Sequence, residues 1–116
     1  MSYESTCHCG AQKAVVEGHM PTEAMTCNCS ICRRKGHMLH FVPADQARIE
    51  GDEAGRGDYT FNRHMIHHQF CQTCGCSPFG HGKDGDGNEM VAINMRCVAD
   101  CDLDSLKINQ VDGASF

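Results

Sequence analysis

Cysteine spacing is the feature that most constrains this sequence, which has ten cysteines in 116 residues. Seven of them fall into three tight groups: Cys7 with Cys9, Cys27 with Cys29 and Cys32, and Cys71 with Cys74. Neighbours this close in sequence are poorly placed to form disulfides with one another, but their thiolates can converge on one metal ion. Zinc accepts tetrahedral thiolate coordination and needs no redox chemistry, so the spacing predicts zinc binding.

The number of clustered thiols predicts two metal sites of different kinds. Two closed tetrahedral sites need about eight ligands, whereas the groups supply seven, which divide as four and three. Each pair is incomplete alone, so we expect the two pairs to form one closed, structural zinc site: Cys7, Cys9, Cys71 and Cys74. The remaining trio lies within six residues and predicts a zinc site with a fourth position open to water or substrate: Cys27, Cys29 and Cys32.

Other uses of the cysteines stay open at this level. Disulfides throughout would suit a secreted protein, but the first residues show neither the basic region nor the apolar region of a secretory signal. A single zinc with spare thiols, or an iron–sulfur cluster, would also use these groups. Cys76, Cys97 and Cys101 lie outside them, and we expect small buried hydrophobes there, with Cys97 as an alternative ligand of the open zinc.

Composition and charge narrow the class of protein. The length predicts a single domain over residues 1–116, and apolar runs of only a few residues exclude a membrane-spanning helix, which needs about 20. A net charge of −5 argues against a broad surface that binds duplex nucleic acid. The missing export signal predicts a cytoplasmic protein, and homo-oligomerisation stays open.

The residue pattern predicts a mostly β fold of short strands with few helical turns. Strands are expected at 13–17, 37–42, 58–61, 65–70 and 90–95, with a hairpin turn at Asn62 and Arg63. Helical turns are expected at 30–35, 44–47 and 102–106. The glycine-rich segment 80–88 is expected to be a loop.

Three ordered motifs carry a family resemblance. They are Cys7-x-Cys9-Gly10, Cys27-x-Cys29-Ser30-x-Cys32-Arg33-Arg34 and Phe70-Cys71-x-x-Cys74-Gly75. In this order they resemble the glutathione-dependent formaldehyde-activating (Gfa-like) enzymes, and segments 27–32, 40–44 and 59–62 are similar to the centromere protein V branch of that family. The resemblance covers residues 6–113 and implies an Mss4-like fold, in which small antiparallel sheets surround zinc.

The resemblance also implies an activity. Enzymes of this family are carbon–sulfur lyases that run in the synthetic direction and join glutathione to formaldehyde, giving S-hydroxymethylglutathione. The family's structural zinc ligands fall on Cys7, Cys9, Cys71 and Cys74, and its catalytic zinc ligands on Cys27, Cys29 and Cys32. The alternative is a zinc-stabilised protein-binding module without catalysis. The open trio favours the enzyme, because a structural module gains nothing from an unfilled coordination position.

The remaining polar residues give weaker signals. Arg33 and Arg34 directly follow the trio and are candidate anchors for the carboxylates of an acidic thiol such as glutathione, although a solvated turn has the same composition. Thiolates outcompete imidazole for zinc, so we expect the histidines to be surface or packing residues rather than ligands: His37, His40, His64, His67 and His68.

Overall fold

The fold, seen in a computed structural model that describes residues 1–60 and 66–113, is built mainly from short strands. The strands are β1 (Ser2–Thr6), β2 (Gln12–Glu17), β3 (Glu23–Cys27), β4 (Leu39–Pro43), β5 (Ala47–Gly51), β6 (Arg56–Tyr59), β7 (His68–Cys71), β8 (Phe79–Lys83), β9 (Glu89–Asn94) and β10 (Lys107–Val111). The helix α1 covers Ser30–Lys35, and 3₁₀ turns cover Ala44–Gln46, Glu53–Gly55, Met95–Cys97 and Leu103–Ser105. The predicted β class is therefore confirmed.

The strands form three sheets. A five-stranded sheet has the order β10-β3-β4-β9-β8, a three-stranded sheet has the order β1-β2-β5, and β6 pairs with β7. Neighbouring strands are antiparallel except β10 and β3, which run parallel, with Val111 opposite Cys27. The parallel pair places the residues after β10 beside the first cysteine of the trio.

Several strands and the helix of the structure lie where the sequence predicts them. β2, β4 and β9 overlap the strands expected at 13–17, 37–42 and 90–95, and α1 coincides with the expected helical turn. β6 and β7 form the expected antiparallel hairpin, whereas its turn at Asn62 and Arg63 lies outside the described residues. The six residues of α1 fall well short of a membrane-spanning helix, and no other helix in the described ranges meets that requirement.

The prediction of a loop over 80–88 was wrong for its first part. Phe79–Lys83 forms β8, which pairs along its whole length with β9 and meets His67 on its other side in an isolated bridge. Hydrogen bonds from both sides outweigh the poor strand propensity of glycine here. Strands β1, β3, β5 and β10 were not predicted either, because their polar composition hides strands that tertiary pairing stabilises.

Buried apolar side chains from the two larger sheets form one core. Its members include Tyr3, Val16, Val42, Phe79, Val91, Ile93 and Met95. The polar groups inside are satisfied: the Ser5 hydroxyl donates to the Pro78 carbonyl (2.8 Å), and the Gln12 amide donates to the Asp52 carbonyl (2.8 Å). The Gln12 amide oxygen also accepts a hydrogen bond from the Arg56 guanidinium (3.0 Å). Gln12 therefore links its own strand, β2, to β6 and to the turn that joins β5 to β6.

We expect Gly51→Ala to destabilise the fold. Gly51 pairs with Gln12 and has a φ of +126°, a value that side chains rarely adopt. A Cβ there would overlap the Ala11 carbonyl and lie 2.8 Å from the Gln12 amide oxygen. Urea denaturation should show a loss of about 1–3 kcal/mol in the free energy of unfolding. The matched control is Gly55→Ala, where a Cβ makes only an ordinary 3.7 Å contact; equal losses in both variants would contradict this account.

Candidate metal centres

Four thiols from two distant turns converge on one point. The sulfur atoms of Cys7, Cys9, Cys71 and Cys74 all lie within 4.8 Å of one another. The Cys9 sulfur is 3.7 Å from that of Cys7 and 3.6 Å from that of Cys71. Sulfurs arranged tetrahedrally around zinc at about 2.3 Å are separated by about 3.8 Å, so this spacing fits zinc.

Both turns end in a glycine that closes the turn. Gly10 and Gly75 have φ values of +83° and +82°. Each donates its backbone N–H to the backbone carbonyl of the first cysteine of its turn, at 3.1 Å for Cys7 and 2.8 Å for Cys71. This conformation favours glycine because a Cβ would be strained there. The turns thereby fold two cysteines each toward a common centre.

Backbone amides favour negative charge on some of these sulfurs but not on all. The Ala11 N–H lowers the pKa of Cys9, but burial and hydrogen bonds with the other three sulfurs outweigh it and raise that pKa to about 11. The N–H groups of Cys9 and Cys76 lower the pKa of Cys74 to about 5, and the N–H of Cys74 is the main reason that the pKa of Cys71 is lowered. The Gln12 N–H donates to the Cys7 sulfur at 3.3 Å. Cys74 and Cys71 thus favour the thiolate form that metal binding requires, and the Cys7 sulfur has a hydrogen-bond donor that would stabilise its negative charge. Sequence reasoning missed Gln12, since nothing in a lone glutamine signals this contact.

The second cluster is smaller and more open. Cys27 ends β3, Cys29 precedes α1 and Cys32 lies in its first turn, so their sulfurs also lie within 4.8 Å of one another. All three are partly exposed, whereas Cys7 and Cys71 of the first cluster are buried. Burial nevertheless raises the pKa of Cys32 to about 12, with the neighbouring sulfur of Cys29 adding to the rise. Burial acts on Cys29 as well, but the backbone N–H groups of Cys32 and Ile31 outweigh it and lower the pKa.

The last residue of β10 and the residues that follow it contact the trio and the intervening residue Asn28. The Asn28 backbone N–H donates to the Val111 carbonyl (3.2 Å), and the Asn28 side chain donates to Asp112 (2.9 Å). A Cβ on Gly113 would overlap the Cys27 sulfur and lie 3.3 Å from the Cys29 Cβ. The sequence gives no sign of this support, because it depends on the parallel pairing of β10 with β3.

All ten cysteines are free thiols in the structure, so the disulfide alternative is not borne out. Cys76, Cys97 and Cys101 are partly exposed, and the expectation that they are buried was wrong. Cys97 lies outside the trio's cluster, and the thiols whose charge acts on it are Cys76, Cys7 and Cys74.

The arginines and histidines that the structure describes lie outside both thiol clusters. Arg33 and Arg34 are exposed, and the Arg34 guanidinium donates to the Ser30 carbonyl of its own helix (2.8 Å). The Nδ1 atom of His67 lies 2.8 Å from the Asp58 carboxylate at an exposed site, and His64 lies outside the described residues. Burial lowers the pKa of His37, His40 and His68.

A cleft of about 350 Å³ opens beside α1, next to the turn of the first cluster. Its lining includes Lys35, His37, Cys76, Ser77, Asn94 and Cys97. Another cleft of about 370 Å³ lies at β6, β7 and β8 and contains no cysteine. The smaller cleft is the one with a direct link to the thiols, because Lys35 follows Cys32 by one helical turn.

His37 gives a testable signature of this cleft. Burial and the charge of Lys35 lower its pKa from 6.5 to about 4, so the unfolded chain takes up a proton at a higher pH than the folded one. The neutral imidazole therefore contributes stability above pH 6.5 that is lost as the pH falls toward 4. We expect His37→Gln to lose less unfolding free energy over this window than the parent protein. An exposed control, His19→Gln, should keep the parent slope, and a parent slope in His37→Gln would refute the assignment.

Comparison with known proteins agrees with this geometry. The family model for the glutathione-dependent formaldehyde-activating enzyme matches residues 2–110. A solved Rhodobacter sphaeroides protein superposes with a TM-score of 0.78 at 25% identity, covering 93% of this chain and 99% of that one. The arrangement of small sheets around thiol clusters also fits the Mss4-like fold that the motifs imply. The chain belongs to the glutathione-dependent formaldehyde-activating enzyme family.

Proposed function

We propose that the chain is a zinc-dependent carbon–sulfur lyase that adds a thiol, such as that of glutathione, to a small carbonyl such as formaldehyde. In this proposal Cys7, Cys9, Cys71 and Cys74 hold a structural zinc, and Cys27, Cys29 and Cys32 hold a catalytic one. The observation that carries it is the number of thiols that converge in each cluster: four in the first, of which two are buried and one is exposed, against three partly exposed ones in the second. Four thiolates complete a tetrahedral shell, whereas three leave room for a substrate sulfur.

The protein groups around the trio fit such a role. Zinc, when bound, would supply the positive charge that lowers the pKa of an incoming thiol. The trio is supported on one side by Gly113 and the Asn28 contacts, so a substrate would approach from the exposed side. Arg33 and Arg34 are exposed on α1 beside Cys32 and add positive charge near a site that carries three thiolates.

The reaction needs no further reagent. The substrate thiol loses its proton, its sulfur forms a bond to the carbonyl carbon, and the carbonyl oxygen gains a proton. Nothing is oxidised or reduced, so no side chain has to act as a nucleophile or an electron carrier. Ten free thiols are also compatible with a reducing compartment such as the cytoplasm, which is where we place the protein.

Replacing Cys29 tests the catalytic assignment. We expect Cys29→Ser to lower the zinc content from about two ions per chain to about one, because a site of two thiolates and a hydroxyl binds zinc weakly. The rate of S-hydroxymethylglutathione formation above the spontaneous reaction, followed by NMR, should fall by about 100-fold or more. The matched control is Cys101→Ser, which alters a thiol outside both clusters and should keep both zinc content and rate.

Two results would count against the proposal. Unchanged zinc content in Cys29→Ser would remove the open site. A parent protein with full zinc content but no rate above background would leave the zinc-stabilised binding module as the function.

Gly113→Ala probes the same site without changing a ligand. The added Cβ would displace the Cys27 sulfur, so we expect the affinity of the trio for zinc to fall by about tenfold or more. The structural zinc should stay, because the atoms nearest to a Cβ on Gly113 belong to Cys27 and Cys29 of the trio. Competition with a zinc-binding dye would resolve the two steps. In the control Gly85→Ala, the new methyl group meets nothing within 4 Å and both affinities should be kept; equal behaviour of the two variants would refute the contact.

A further inference from the structure

The cleft beside α1 has one cation directed into it. Lys35 lines the cleft and lies three residues after Cys32, which places the two side chains on the same face of the helix. A molecule whose sulfur sits at the trio could therefore reach Lys35 with a second group.

Lys35 has neutral contacts. Its ammonium donates to the Ser77 hydroxyl (2.9 Å) and lies 5.5 Å from the centre of the Phe70 ring. Among the described residues no carboxylate lies within ion-pair distance of Lys35, and no Asp or Glu lines the cleft. The side chain is exposed overall, and partial burial of the ammonium lowers the pKa of Lys35, although the nearby thiol of Cys32 acts in the opposite direction.

The other groups of the cleft suit an anion. His37 is neutral at physiological pH, because its pKa is about 4, so Lys35 supplies the positive charge among the described residues that line the cleft. Ser77 accepts the hydrogen bond from Lys35, so its own O–H is available as a second donor. The larger cleft differs, because Glu53 and Asp58 line it and would repel an anion.

We propose that this cleft binds the carboxylate of an acidic thiol, with Lys35 as the residue that makes the enzyme prefer acidic over neutral thiols and Ser77 as a second donor. The inference rests on the proposed function for the position of the thiol. The carboxylate site itself depends only on the cleft. Arg33 and Arg34 do not line it, so the preference is assigned to Lys35 and not to the arginine pair.

The test uses a ligand that cannot react. S-methylglutathione keeps both carboxylates of glutathione but has no free thiol, and its diethyl ester lacks the negative charges. Titration of the zinc-loaded protein, followed by NMR, should shift the signals of Lys35 and His37, with the acid binding about tenfold or more tighter than the ester. Lys35→Met should abolish this difference, and Lys35→Arg should retain most of it.

Controls separate charge from folding. Lys83→Met removes an exposed cation from β8, outside the cleft, and should keep the preference for the acid. Unchanged zinc content in Lys35→Met would show that the variant is folded. In the condensation assay, Lys35→Met should raise KM for glutathione by about tenfold, whereas Lys83→Met should keep the parent KM.

The outcomes distinguish the two proposals. Equal binding of acid and ester to the parent protein, no binding of either, or a preference that persists in Lys35→Met would overturn the carboxylate site. A Lys35-dependent preference in a protein with no condensation activity would instead support the site and count against the proposed reaction.

Discussion

The convergence of two cysteine turns that are far apart in sequence is the interaction on which the fold most depends. The Cys9 and Cys71 sulfurs are 3.6 Å apart although 62 residues separate them. Closing a segment of this length costs conformational entropy, which the chain's small apolar core would have to offset without help. A metal held at this junction would contribute its binding free energy directly to folding.

The two thiol clusters differ in ways that follow from their local structure. The first cluster is formed by two turns, which end at Gly10 and Gly75 and lie far apart in the sequence. The second comes from one strand end and one helical turn, and its sulfurs stay partly exposed. Surroundings of this kind suit stable coordination in the first case and ligand exchange in the second. The adjoining cleft, with Lys35 as its cation, adds a place for a charged group beside the exposed trio.

The sequence was most informative where chemistry is local. Cysteine spacing predicted which thiols the structure brings together. Each turn brings its own cysteines close, and seven clustered thiols can be divided between two metal sites in only a few ways. Strands with β-branched residues, such as Val15 and Val16 in β2, were predicted for the same reason. The β class follows from these strands and from the family motifs.

Features that depend on tertiary pairing could not be predicted. β8 is a strand despite its glycines because β9 supplies a complete ladder of hydrogen bonds. The contact of Gly113 with Cys27 joins segments that no sequence pattern connects. The position of Lys35 is similar: residues 33–35 are all basic, and only the folded helix shows which side chain faces the cleft.

The parallel pairing of β10 with β3 also ties the shape of the trio to the end of the described chain. Asp112 lies 84 residues beyond its partner Asn28, and a Cβ on Gly113 would overlap the Cys27 sulfur. The cluster whose cysteines are closest in sequence is therefore the one that would lose its support if the chain were truncated after β10.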